Sequence, residues 1–239
     1  AYNQFITARK FNNEAVYGLT NQFDAHMMKN TEWGAVAYLS HSKYGKYGNS
    51  MYTGENKEIY ASKSSSSITG LSNGTLGTEV INEQCLYSDT IDRGNEMGAC
   101  GAGASTTGNI YGIYDMAGGA LERVMGLIYN SDNLTLVVEG SGFMQEDIDD
   151  IAMTKYVDKY LYGTSSTEFN RRKLGDATGE TRLWYNDSTE MVTYSESWFH
   201  RGGIYNQGDN IGIFYFGAYN GGNSSHAFRL VISGFIMSN

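Results

Sequence analysis

The 239-residue chain has no proline, where ordinary usage of about 5% would supply roughly a dozen. Turns that proline often presets must be built otherwise, and the 30 glycines are the obvious supply. Positive charge is also scarce. Lys and Arg number 17 against 26 Asp and Glu, a net charge of −9, with an isoelectric point near 4.9. That balance excludes a nucleic-acid binder, which needs a basic face for phosphates. No apolar run approaches the roughly 18 residues of a membrane span. Ala1 follows neither an initiator Met nor a signal peptide, so it reads as the start of an excised piece or of a processed chain, with any address it once carried missing.

Cysteine is nearly absent too. Cys85 and Cys100 lie in a Gly-rich region, and their spacing allows a disulfide closing a loop of about 15 residues, suited to an oxidising compartment. Two unpaired thiols remain the alternative. The sequence holds no G-x-S-x-G, P-loop or dinucleotide fingerprint. His26, His41, His200 and His226 have no metal-ligand spacing, which argues against zinc. Glu146, Asp147, Asp149 and Asp150 offer oxygen ligands for a structural calcium, but not at EF-hand spacing. An acidic helix start explains them as well.

What is present is 41% hydrophobic residues and 18% charged ones, enough for one large domain spanning 1–239. Asp24 is positioned to cap a helix over 25–42, where Met27, Met28, Trp33, Val36, Ala37 and Leu39 recur at roughly helical spacing. Residues 43–108 are rich in Gly, Ser, Asn and Thr and read as a loop-rich insertion. A short apolar segment follows at 110–129. Residues 145–160 suit an acidic-started helix, and FRLVISGFIM (228–237) reads as a strand buried in the core. The expected class is α+β, with few regular elements and much ordered loop.

Three separated motifs resemble one family. KNTEWGAVAYL (29–39), GNIYGIYDMAGGALERVMG (108–126) and RGG at 201–203 followed by FRLV at 228–231 resemble, in order, segments of the formylglycine-generating-enzyme, or sulfatase-modifying-factor, domain. The resemblance implies a C-type-lectin-type fold: a small twisted antiparallel sheet, two helices and long ordered loops. The chain departs from the family at Leu121, where a Trp is usual, and at Arg123. Stretches such as MMKNTEWGAVAYLSHSKYG and ASTTGNIYGIYDM also resemble surface proteins of gut Firmicutes that carry this domain. The motif residues have scaffold roles to fill. Trp33 and Ala37 can face the core together, Gly118 and Gly119 permit positive φ, and Arg201 and Arg229 can anchor carbonyls or carboxylates.

The family's enzymes need a C-terminal cysteine pair, and this chain has no cysteine after Cys100. The iron-dependent relatives rely on a histidine-rich module that is absent here. Sugar-binding lectins use an E-P-N or Q-P-D calcium triplet, which a chain without proline cannot hold. The expectation is therefore a non-enzymatic domain without a resident cofactor. It resembles the variable proteins of diversity-generating retroelements, in which adenine-directed mutagenesis rewrites a C-terminal segment between an RGG and an FR.

Such mutagenesis of AAC or AAT codons cannot yield Lys, Glu, Gln, Met or Trp. These five types make up 41 of the 239 residues, so about six are due among the 34 positions from Phe199 to Ile232, and only Gln207 occurs. The bias fits a rewritten segment over 198–232, and equally a Gly-rich aromatic loop. Tyr and His give contact area with a polar tip, and Asn, Ser and Asp give adaptable hydrogen bonds. The expected ligand-facing set is Tyr205, Asp209, Asn210, Tyr215, Ala218, Tyr219, Asn220, Asn223, Ser224, Ser225 and His226. The expected ligand is a protein or glycan on another cell or host surface, met by a chain displayed outside the cell or on a phage particle. Two rivals stand beside this reading: a sulfatase-modifying-type oxidoreductase with altered chemistry, and a structural subunit of a surface appendage.

Overall fold

The computed structural model describes residues 1–20, 23–42, 112–113, 116–118, 120–129, 142–144, 153–204, 211–221 and 225–234. The expected insertion at 43–108, Gly119, Cys85 with Cys100, and the four acidic residues at 146–150 lie outside these residues. Over the described parts the chain is α+β. In chain order it forms α1 (Tyr2–Lys10), β1 (Asp24–Met27), α2 (Asn30–Ser40), β2 (Leu121–Tyr129), a single helical turn α3 (Met153–Tyr156) and β3 (Asp158–Leu161). Four further strands follow: β4 (Trp198–Arg201), β5 (Phe216–Ala218), β6 (His226–Phe228) and β7 (Leu230–Ser233).

β2 is the axis of the main sheet. One edge pairs antiparallel with β4, which in turn pairs with β5. Its other edge is shared by two parallel partners, β6 along 121–123 and β3 along 126–129, so the main sheet is mixed and not the antiparallel one expected. β1 and β7 form a separate antiparallel ribbon. Met28 stitches ribbon to sheet, donating its N–H to the Arg229 carbonyl at 2.9 Å and accepting from the Met125 N–H at 2.8 Å. Alternation along β2 then divides the core. Val124 and Ile128 face a cluster with Trp33, Tyr160, Phe199 and Phe216. Met125 and Leu127 face Phe5, Ala8, Phe143 and Trp198.

The expected helix over 25–42 begins later than its apolar spacing suggested. Residues 24–27 are strand, fully paired with 230–233. Asp24 cannot cap, because its carboxylate holds Arg9 at 2.7 Å, Lys155 at 2.9 Å and the Tyr156 hydroxyl at 2.9 Å. Burial opposes its ionised form, yet the Lys155, Arg9 and Tyr156 bonds win and hold its pKa to about 2. The caps of α2 come from elsewhere: Glu32 accepts the Lys29 N–H at 2.8 Å, and Asp158 on β3 accepts the Thr31 N–H at 2.7 Å. Trp33, Val36 and Ala37 then face the core, as their spacing requires.

Two further expectations are corrected. Within 145–160 the described helix is only Met153–Tyr156, after which the chain turns into β3. The C-terminal strand is real but not buried: Leu230 and Val231 are half-buried, while Ile232 and Ser233 are exposed. Among the described strands β7 pairs only with β1.

The three motif segments converge physically. Arg201 is wholly buried and donates to Asn30 Oδ1 at 3.0 Å and to the carbonyls of Asp176 and Ala177 at 3.2 and 2.9 Å. Gly202 and Gly203 both take positive φ, +79° and +73°, which favours glycine. Gly118 at φ +76° donates to the Gly202 carbonyl at 2.8 Å. The Trp33 indole donates to the Ile213 carbonyl at 2.8 Å. Arg229 grips the Glu122 carboxylate through two nitrogens. Both arginines therefore anchor carbonyls or carboxylates.

Candidate functional site

The segment expected to face a ligand is sorted by the sheet into inward and outward residues. Tyr205, Asp209, Asn210, Asn223 and Ser224 lie outside the described residues. Of the others, Tyr215 and Ala218 are buried, 8% and 5% exposed, and cannot serve as the free contacts expected of them. Ala218 pairs with Phe199 across the β4–β5 ladder at the end of the sheet. Tyr215 is turned in by a hydrogen bond between its hydroxyl and His200 Nε2 at 2.9 Å. Tyr219, the next residue outward, is 39% exposed, and Ser225 and His226 are half-buried.

Asn220 is half-buried and acts as a clamp. Its Oδ1 accepts from the Ser197 N–H at 2.6 Å and faces the Ser197 hydroxyl at 3.1 Å, while its amide donates to the Ser195 carbonyl. Neighbouring residues should therefore respond differently to truncation. Asn220→Ala strips a partner from the Ser197 N–H and should lower unfolding free energy by about 1–3 kcal/mol. Tyr219→Ala removes a partly exposed ring that packs on His226 and Gly221 and makes no described hydrogen bond, and it should cost less than about 1 kcal/mol. Urea unfolding of both variants checks this, and equal losses would contradict it.

Rings and charges gather beneath Tyr219. The Tyr219 and His226 ring centroids lie 5.2 Å apart, His226 and His200 6.0 Å, and His200 and Tyr215 5.7 Å in a stack. In the sheet register Arg123 opposes His200, and Leu121 opposes His226. These side chains thus share one face, because residues two apart on β2 point the same way. Arg123 is 4% exposed and donates to the Gly221 carbonyl. His200 and Arg123 were not among the expected site residues. No spacing in the sequence announces them, since they meet only through the pairing of β2 with β4.

Burial holds the His200 imidazole down to about 3, with His226 and Arg123 adding repulsion. His226 is lowered by burial and then by Arg123. Tyr215 is pushed up to about 12, by burial first and then by Glu190 and Asp187. His41, beside Phe214, is held down to about 4 by burial. In the unfolded chain His200 and His41 take up a proton near pH 6.5, whereas the folded chain keeps them neutral until far lower. Their contribution to stability is thus complete above about pH 6.5 and is lost as pH falls toward 4 and below. Denaturant melts across that window should show a steady decline, flattened in His200→Gln. A stability that ignores pH there would contradict the assignment.

On the other side of Tyr215 lies a polar cavity of about 250 Å³, where Ser166, Ser188, Thr189 and Glu190 meet the edge of β5. A second, more apolar groove of about 420 Å³ runs between α2 and β7, lined by Val36, Leu230 and Ile232 among others. Among the described residues, no three His, Cys, Asp or Glu side chains gather in an arrangement that could hold a metal. Nor is any described helix long and apolar enough to cross a membrane. Comparison with protein-family models and with curated protein sequences returns no match for this chain.

Proposed function

We propose that the chain is a non-enzymatic ligand-binding domain that presents a replaceable contact surface near its C-terminal end. In this reading the scaffold is of the C-type-lectin type, as the resemblance of the three motif segments implies, and the ligand is a protein or glycan on another surface. The observation that carries the proposal lies within a few residues of β5. Phe216 and Ala218 are locked into the sheet, while Tyr219, immediately beyond, stands in solvent beside half-buried His226 and Ser225. A rigid backbone with an amphipathic aromatic at its rim is economical for recognition, because little conformational entropy is lost on binding.

The shortage of Lys, Glu, Gln, Met and Trp across 199–232 supports rewriting by an adenine-directed retroelement. Burial narrows the replaceable set to the outward residues, and the reading leaves Tyr215, Ala218 and Asn220 with the scaffold. Sequencing the locus across related strains tests this directly. Substitutions should concentrate at adenines of codons for rim positions such as exposed Tyr219 and half-buried Ser225, with a near-copy template and a reverse transcriptase nearby. Scattered drift with no such template would overturn it. That outcome would favour a structural appendage subunit, or an oxidoreductase with altered chemistry if the domain consumed oxygen.

A further inference from the structure

The cluster beneath Tyr219 sets one buried guanidinium beside two imidazoles, with no acidic partner among the described residues. Arg123 is almost completely buried, and its one acceptor among the described residues is the neutral Gly221 carbonyl. No described carboxylate pairs with it, whereas Arg229 and Arg9 both hold one. Glu122, the nearest acidic residue in sequence, points to the opposite face of β2 and is occupied by Arg229. Burying a guanidinium without a counter-charge is costly, so an arrangement of this kind calls for an anion.

The two imidazoles add to the demand. His200 is 7% exposed, and its Nδ1 is buried without a hydrogen-bond partner, as is Nδ1 of His226. When the Tyr215 hydroxyl donates to His200 Nε2, the imidazole proton lies on Nδ1 and is left as an unmet donor. Strand register puts Arg123, His200 and His226 on one face of the sheet. The rim there is partly open, since Tyr219 is exposed and Gly221, Ser225 and His226 are half-buried.

We propose that Arg123, His200 and His226 form an oxyanion-binding subsite at the floor of this face, taking a carboxylate or phosphate group of the ligand. Arg123 supplies the charge and a forked pair of donors, and the imidazole N–H groups complete the contact. The subsite rests on the reading of this face as a ligand-binding surface and specifies the chemistry that the surface accepts. It also distinguishes fixed from replaceable residues: Arg123 lies on β2, outside the segment 198–232, so every version of a rewritten surface would keep the anion anchor.

The test uses the full chain and two small probes, inorganic phosphate and acetate, each titrated against chloride at matched ionic strength. Imidazole resonances of His200 and His226 are followed by NMR. Either probe should shift both histidines in a saturable way that chloride does not reproduce. A response to phosphate alone assigns a phosphorylated ligand, and a response to acetate alone or to both assigns acidic side chains or sugar acids as ligands. Arg123→Lys should weaken the stronger probe about tenfold, and the rim variant His226→Gln severalfold, whereas Lys10→Met on exposed α1 leaves it unchanged. His226→Gln covers the case in which a change at buried Arg123 unfolds the chain. Histidine shifts absent for both probes, or undiminished affinity in folded variants, would overturn the subsite. The strain-sequencing result would stand in either case, so failure here is distinguishable from failure of the binding reading.

Discussion

Arg201→Met should cost the fold about 3–5 kcal/mol, the range for removing one partner from a buried charged network. The guanidinium has no exposed surface and supplies donors to three acceptors on two separate elements: Asn30 at the start of α2, and the carbonyls of Asp176 and Ala177. It also lies 5.6 Å from the ring centroids of both Trp33 and Phe216. Burial lowers its pKa to about 10, with Asp176 the leading opposing charge. Asp176, raised by burial, is itself satisfied by Tyr160, Thr178 and the Lys173 N–H. Methionine fills much of the volume but leaves Asn30 Oδ1 and the Ala177 carbonyl without this donor. Arg201→Lys should recover part of the loss by offering one compact cation in place of the fork. Denaturant unfolding decides, and a loss below about 1 kcal/mol for Arg201→Met would mean the network is ornamental.

Gly34→Ala is the second large effect, and its sign is set by two opposing terms. Alanine favours a helix interior by about 1 kcal/mol over glycine. Against this, a Cβ at Gly34 would fall 2.5 Å from the Asp176 carbonyl carbon and 2.7 Å from its Cα, and closer still to the Gly175 carbonyl oxygen. These are backbone atoms and cannot swing aside, so α2 must lift off the 175–176 loop. Overpacking of this kind costs typically 1–3 kcal/mol and sometimes more, and a net loss of about 2 kcal/mol is expected once helix propensity is credited. Because Gly34 and Arg201 both hold α2 to that loop, the double variant should lose less than the sum of the singles. A stabilised Gly34→Ala protein would contradict this close packing of α2 on the 175–176 loop.

How much of this was legible in the sequence depended on whether the deciding interaction was local. The core face of α2 was, because Trp33, Val36 and Ala37 are spaced for one helical stripe. Its true start was not, because β1 is defined by partners at 230–233 and by the ion pairs that occupy Asp24. α1 carries little sequence signal, since only Phe5 and Ala8 of its nine residues are buried and the apolar stripe is thin. The anchoring role of Arg201 was readable from its apolar setting, but not its partners on α2 and the 176–177 loop. The inward turn of Tyr215 follows from His200, which no pattern within 211–216 could reveal. Arg123 and His200 meet through strand register alone.

The central claim is that a fixed scaffold carries a surface whose side chains can be exchanged. A saturation library over 211–226, selected for resistance to proteolysis and then sequenced, measures it most directly. Tyr219 and Ser225 should accept most side chains in the surviving population, while Ile213, Phe214, Phe216 and Ala218 should stay close to their present identities and Asn220 should tolerate few replacements. Survivors as restricted at Tyr219 and Ser225 as at Phe216 would contradict the account, because the rim would then belong to the scaffold.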